Sequence, residues 1–185
     1  MKKLFLIILS ALAIFLSAQT VSLETMSQYS PGNYPAAEYV KDINGLLNRY
    51  VGTWKGTYEG KVYEFNLIKK ENVISEFSTT KWDRLIARIK IINSNGTVEF
   101  NNFNKPDDQV NRGYNFQKDL KFYLITFSGG KLDCIDYGFI YAGIKSATPN
   151  QMTIHFLPDH DIVTQDCSHF KTTIPTGKMI YLTRL

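Results

Sequence analysis

Between Lys61 and Lys70 the chain alternates: Tyr63, Phe65 and Leu67 fall on one side of an extended backbone, and Glu64 and Asn66 on the other. Successive side chains of a strand point to opposite faces, so a period of two describes a strand with one buried and one wet face. The pattern recurs over 85–92, where Leu85, Ala87, Ile89 and Ile91 oppose Arg88 and Lys90. Further short segments of strand character lie at 54–59, 73–80, 97–103, 122–127, 135–144, 152–157 and 179–184. Turn signals separate them: Glu59-Gly60, Asn93-Ser94-Asn95-Gly96 and Pro149-Asn150. Asn95-Gly96-Thr97 also fits a glycosylation sequon, but it reads better as the hairpin turn.

One helical pattern precedes this series. Over 36–50, Ala37, Val40, Ile43 or Leu47, and Tyr50 recur at helical spacing with Pro35 near the start, and Gly45 weakens the run. No long amphipathic helix follows, which argues against alternating βαβ units. The expected fold is all-β: a single antiparallel up-and-down β-barrel of about eight or nine strands with a short N-terminal helix. Residues 19–35 are polar, contain Pro31-Gly32 and read as an arm outside the core, so the barrel domain is expected over 36–185. The longest stretches without periodicity are 104–118 and 158–176.

The first residues have the three-part form of a secretory signal peptide: Lys2 and Lys3, an apolar run from Leu4 to Leu16 broken by Ser10, then Ser17-Ala18-Gln19. The run is short of the ~20 residues that span a bilayer, so cleavage near Ala18 and a mature chain without an integral membrane span are expected. Residues 1–18 are thus assigned as leader, and the destination is secreted or periplasmic. An oxidising compartment makes Cys134 and Cys167, the two cysteines of the chain, a disulfide by default. Loss of Lys2 and Lys3 would halve the formal charge of +4, leaving no electrostatic case for nucleic acid or an anionic membrane surface.

The stretch Tyr50-Val51-Gly52-Thr53-Trp54-Lys55 resembles the Gly-x-Trp opening of the first strand in lipocalins and fatty-acid-binding proteins. Tyr181-Leu182-Thr183-Arg184 is similar to their last strand, which carries an arginine. The resemblance implies a calycin-like barrel in which Arg184 packs across Trp54 to close the floor, with Gly52 at the strand entrance. The chain also resembles small exported bacterial proteins of unknown function that share a Val-Gly-Thr-Trp-Lys opening. By the calycin likeness the expected role is non-catalytic binding of a small apolar ligand, with contacts from Tyr58, Tyr63 and Phe65. The sequence lacks the second lipocalin motif of Thr-Asp-Tyr character and the paired arginines and tyrosine that grip a fatty-acid carboxylate, although Arg184 with Tyr181 partly imitates the latter. The high content of Tyr and Phe suits either a filled barrel or one lined by aromatic rings.

Catalytic signatures are absent: there is no Gly-x-Ser-x-Gly, His-Glu-x-x-His, P-loop or Gly-x-Gly-x-x-Gly. His160, Asp166 and His169 are the residues a zinc site would use, but Asp and His beside Pro158 are ordinary turn formers, so no metal is expected. Asp107-Asp108 reads as a solvated loop and His155 as an outward residue between Ile154 and Phe156. No catalytic residue and no cofactor are therefore expected. Two other readings stay open: a protein-interaction or inhibitor domain with a solid barrel and contact loops at 104–118 and 158–176, and a hydrolase or metal-binding protein using 159–169. The corresponding partners are a small apolar molecule or another envelope or extracellular protein.

Overall fold

The computed structural model describes residues 19–30, 32–74, 78–130, 132–163 and 165–185. The leader assigned to 1–18 lies outside these residues, as do positions 75–77 of the strand expected over 73–80. Two short pieces open the described chain, β1 (Thr20–Ser22) and α1 (Leu23–Met26), followed by β2 (Tyr39–Lys41). Next come β3 (Gly52–Tyr58), β4 (Lys61–Ile74), β5 (Lys81–Ile92), β6 (Val98–Asn101) and β7 (Asn111–Phe116). The series ends with β8 (Phe122–Ser128), β9 (Tyr137–Ile144), β10 (Gln151–Pro158) and β11 (Ile180–Arg184).

Eight of these strands form a closed antiparallel ring in the order β5-β4-β3-β11-β10-β9-β8-β7, with β7 returning to β5 at Arg112↔Ile86 and Asn111↔Ala87. The all-β barrel expected from the alternation is the observed fold. Closure gives each of these eight strands a neighbour on both sides, while β6 lies off the ring and pairs with β5 alone. The predicted inward set is the core: Tyr63, Phe65, Leu67, Leu85, Ala87, Ile89 and Ile91 are all buried. Trp54, Tyr50, Tyr123 and Phe156 are among the bulkiest fully buried side chains packed with them.

Three expectations are corrected. The helix expected over 36–50 is replaced by β2 and a 3-10 helix, Leu46–Tyr50. Val40 is buried because β2 lies parallel to both β1 and β5, not because a helix turns it inward. Gly45 is left-handed (φ 67°), a conformation that ends regular structure. The buried Asp42 carboxylate accepts from the backbone N–H groups of Leu46 (2.7 Å) and Leu47 (3.1 Å), and Lys69 neutralises it at 2.8 Å. Second, the arm at 19–35 does enter the core: Val21, Leu23 and Met26 are buried, and Ser22 caps α1 through its hydroxyl. Third, the stretch 104–118 is not a structureless loop. It contains a 3-10 turn, Asp107–Gln109, and then β7, the strand that completes the ring.

Candidate functional site

The ends of β3 set the two ends of the barrel. At its start Trp54 is fully buried, and its indole N–H donates to the Tyr50 carbonyl at 2.7 Å. Arg184 stands opposite Trp54 in the β3–β11 ladder, its guanidinium carbon 4.3 Å from the ring centroid. The guanidinium donates to the carbonyls of Val51 and Arg49, each at 2.5 Å. A cation over the indole face together with two charge-assisted hydrogen bonds ties the last strand to the segment before the first. Gly52 (φ 131°) leaves room for this, since a Cβ there would come within 3.3 Å of the Arg184 Nη1.

At the other end β3 turns into β4 through Glu59 (φ 49°) and Gly60 (φ 77°), a tight hairpin with two left-handed residues. The segment after β10 crosses beside this hairpin and is held in place by several anchors. Ile174 is fully buried. The buried Asp136 carboxylate accepts from Thr173 N at 2.9 Å and from the Thr173 hydroxyl at 2.5 Å. Thr176 bridges to Phe156, and the Cys134–Cys167 disulfide, S–S 2.06 Å, joins the segment to the turn before β9.

Hairpin and segment enclose a half-open groove of about 400 Å³. Glu59, Lys61 and Tyr63 line the hairpin side, and Phe170, Lys171, Thr172 and Lys178 the other. Lys61 is paired with Glu99 at 2.6 Å. Lys171 and Lys178 are exposed, and among the described residues neither has a carboxylate in salt-bridge range. Burial, with a smaller push from Glu99 and Glu59, raises the Tyr63 phenol to about 12, so it is a neutral hydroxyl at physiological pH. The arrangement offers the Phe170 ring, a phenol and two cations without a described carboxylate partner.

Of the residues assigned to ligand contact, Tyr63 lines this groove. Phe65 is fully buried between Trp54 and Ile89 in the ladder, and Tyr58 packs half-buried against the core. The groove's far wall was legible only as a long aperiodic stretch; nothing in the order of its residues singles out Phe170 or Lys171. His160, Asp166 and His169 are exposed, and among the described residues no group of three or more His, Cys, Asp or Glu is placed to hold a metal ion. His155 lies on the outer face of β10 with its ring 4.6 Å from that of Tyr141, where burial lowers its pKa. Asp107 is not a merely solvated loop residue: it pairs with Lys70 and, at 2.5 Å, with Arg88, and these partners hold its carboxyl below the usual range.

Among comparisons with known proteins, a model of a family of unknown function, DUF6705, matches residues 1–139 of the 185. The match takes in the hairpin side of the groove and stops before β10 and the crossing segment. No curated protein and no solved structure matched the chain.

Proposed function

We propose that this chain, which belongs to the DUF6705 family, is an exported, non-catalytic binding protein of calycin-like type. Its ligand is a small, largely apolar molecule with an anionic group. The observation that carries the reading is the groove at the barrel mouth, where the half-buried Phe170 ring lies over the buried Tyr63 and beside Lys171 and Lys178, which have no described carboxylate partner. Ring burial supplies most of the affinity, at ~25 cal/mol per Å² of apolar surface removed from water. Each exposed lysine contributes only ~0.2–1 kcal/mol and mainly selects the sign of the ligand. The Gly52, Trp54 and Arg184 constellation, which resembles the floor of calycin barrels, supports the architectural half of the proposal. The disulfide and the leader-like start support export.

Native mass spectrometry of protein purified from its own host's envelope tests this reading. A retained anionic small molecule is expected, and it should be lost when Lys171→Glu and Lys178→Glu are combined. A clean apo mass for the wild-type protein would overturn the proposal.

A further inference from the structure

The barrel wall has an opening away from the mouth groove. β6 pairs with β5 alone, and no ladder pair joins β6 to β8. β7 meets β8 only at Gly113↔Ile125 and Phe116↔Tyr123. At Arg112 the Thr126 hydroxyl takes the place of direct ladder bonds: it accepts from the Arg112 N–H (3.3 Å) and donates to the Arg112 carbonyl (2.9 Å). A side chain therefore stands between the two backbones and splays them.

The other side of the opening has its own cause. Asn102 N donates to the Ile89 carbonyl at 3.1 Å, and the Asn102 side-chain oxygen accepts from Ile89 N at 2.6 Å. That satisfies β5 locally, the chain bows out over 103–110, and it rejoins β5 at Asn111 opposite Ala87. Between the parted strands lies a cleft of about 480 Å³. Phe100, Asn102 and Val110 border one side, and Thr126, Phe127 and Ser128 the other. The Phe100 and Phe127 rings meet with centroids 5.5 Å apart and supply an apolar floor.

Backbone direction decides what fits. Gly129 N donates to the Asp136 carbonyl (2.6 Å), on the β9 side. Hydrogen bonding alternates along an antiparallel strand, so Ser128 directs its N–H and C=O into the cleft. By the same alternation, with Asn102 N turned to β5, Asn101 directs its N–H and C=O outward from the free edge of β6, beyond the register shift at Ile91–Ile92. Unpaired strand edges are templates for an added strand. The rim carries both Lys105 and Asp108, so no single-sign field selects a charged ligand. Gly130 borders the cleft, and a Cβ there would meet nothing within 4 Å.

We infer that this opening is a β-addition site for an extended segment of a partner protein, bonded to Ser128 and to the free edge of β6, with one apolar side chain seated on Phe100 and Phe127. The site is separate from the mouth groove and does not depend on what that groove binds.

The probe is an acetylated, amidated hexapeptide of alternating Thr and Val, titrated into ¹⁵N-labelled protein and followed by amide shifts. Two control peptides carry N-methyl groups, one on each edge, which remove donors without changing the side chains. Shifts confined to 98–102 and 126–130 are expected with the parent peptide, and neither control should produce them. Ser128→Pro removes a cleft donor and should weaken binding about tenfold or more. Gly130→Val narrows the entrance with no neighbour to displace and should do the same in a protein of unchanged melting temperature. Absence of shifts at millimolar peptide, equal binding by the methylated controls, shifts centred on the mouth groove, or wild-type affinity in both variants would each overturn the inference.

Discussion

Replacing Arg184 by Met keeps most of the aliphatic stem and deletes the guanidinium, which makes it a direct probe of the barrel floor. The wild-type group donates to the carbonyls of Val51 and Arg49 and covers Trp54 at 4.3 Å. Hydrogen bonds from a charged donor are worth ~1.5–3 kcal/mol each, and both carbonyls regain some water when the partner is lost, so the lower end applies. The cation over the indole adds ~0.5–2 kcal/mol. Arg184→Met should therefore cost ~3.5–5 kcal/mol and lower Tm by roughly 10–15 °C in a protein of this size. Trp54→Phe removes the donor to the Tyr50 carbonyl and some ring volume, for ~2–3 kcal/mol. In a urea double-mutant cycle with unchanged m-values, the pair should cost less than the sum of the singles by ~0.5–2 kcal/mol. A single-mutant cost below ~1 kcal/mol for Arg184→Met, or a coupling within the ~0.3 kcal/mol scatter of independent sites, would refute the clamp.

Two further outcomes follow from the same geometry. Reducing Cys134–Cys167, which spans a sequence separation of 33, should cost ~3–4 kcal/mol on the chain-entropy model; hydrogen exchange at Phe170 to Thr172 should quicken, and unchanged exchange there would show that the groove wall does not depend on the bond. Alkaline pH should destabilise the fold through Tyr63: the folded state holds this proton up to about 12, whereas the unfolded phenol releases it near ~10. Its contribution is therefore complete below about pH 10 and is lost as pH rises towards about 12. Tyr63→Phe should flatten the fall in urea midpoint, and a midpoint constant across that window in the wild-type protein would contradict the assignment.

The strands that sequence made legible are those whose inward positions are apolar. Tyr63, Phe65 and Leu67 in β4 and Leu85, Ala87, Ile89 and Ile91 in β5 carry the period of two plainly, and all are buried. β7 was hidden because its buried positions are Asn111, Gly113, Asn115 and Phe116, which produce no apolar alternation. Gly113 is there for space: a Cβ would sit within 2.2 Å of the Tyr123 hydroxyl, so the Tyr123 ring fills what a side chain on β7 would otherwise occupy. The helical spacing over 36–50 misled for a related reason. Val40, Leu47 and Tyr50 are all buried, but by a strand and a 3-10 turn that Asp42 and Gly45 separate. At the candidate site, Tyr63 was readable from its strand, whereas Phe170, Lys171 and Lys178 are brought to it by the disulfide, Asp136 and Ile174, links between distant parts of the chain that periodicity does not carry.

The position of β11 between β3 and β10 has a consequence for the order of events during synthesis. Thr183 pairs with Lys55 and Gln151 with Thr183, so the ring has a missing stave until residues 180–184 are present. A growing chain can form the β3–β4–β5 meander early, because those pairings are local. It cannot seal its interior until its final strand joins the first wall strand, a contact of the long-range kind that slows folding. Barrel closure therefore waits for residues 180–184, and any factor that holds the nascent chain open before they are made acts on a molecule that has not yet been able to close.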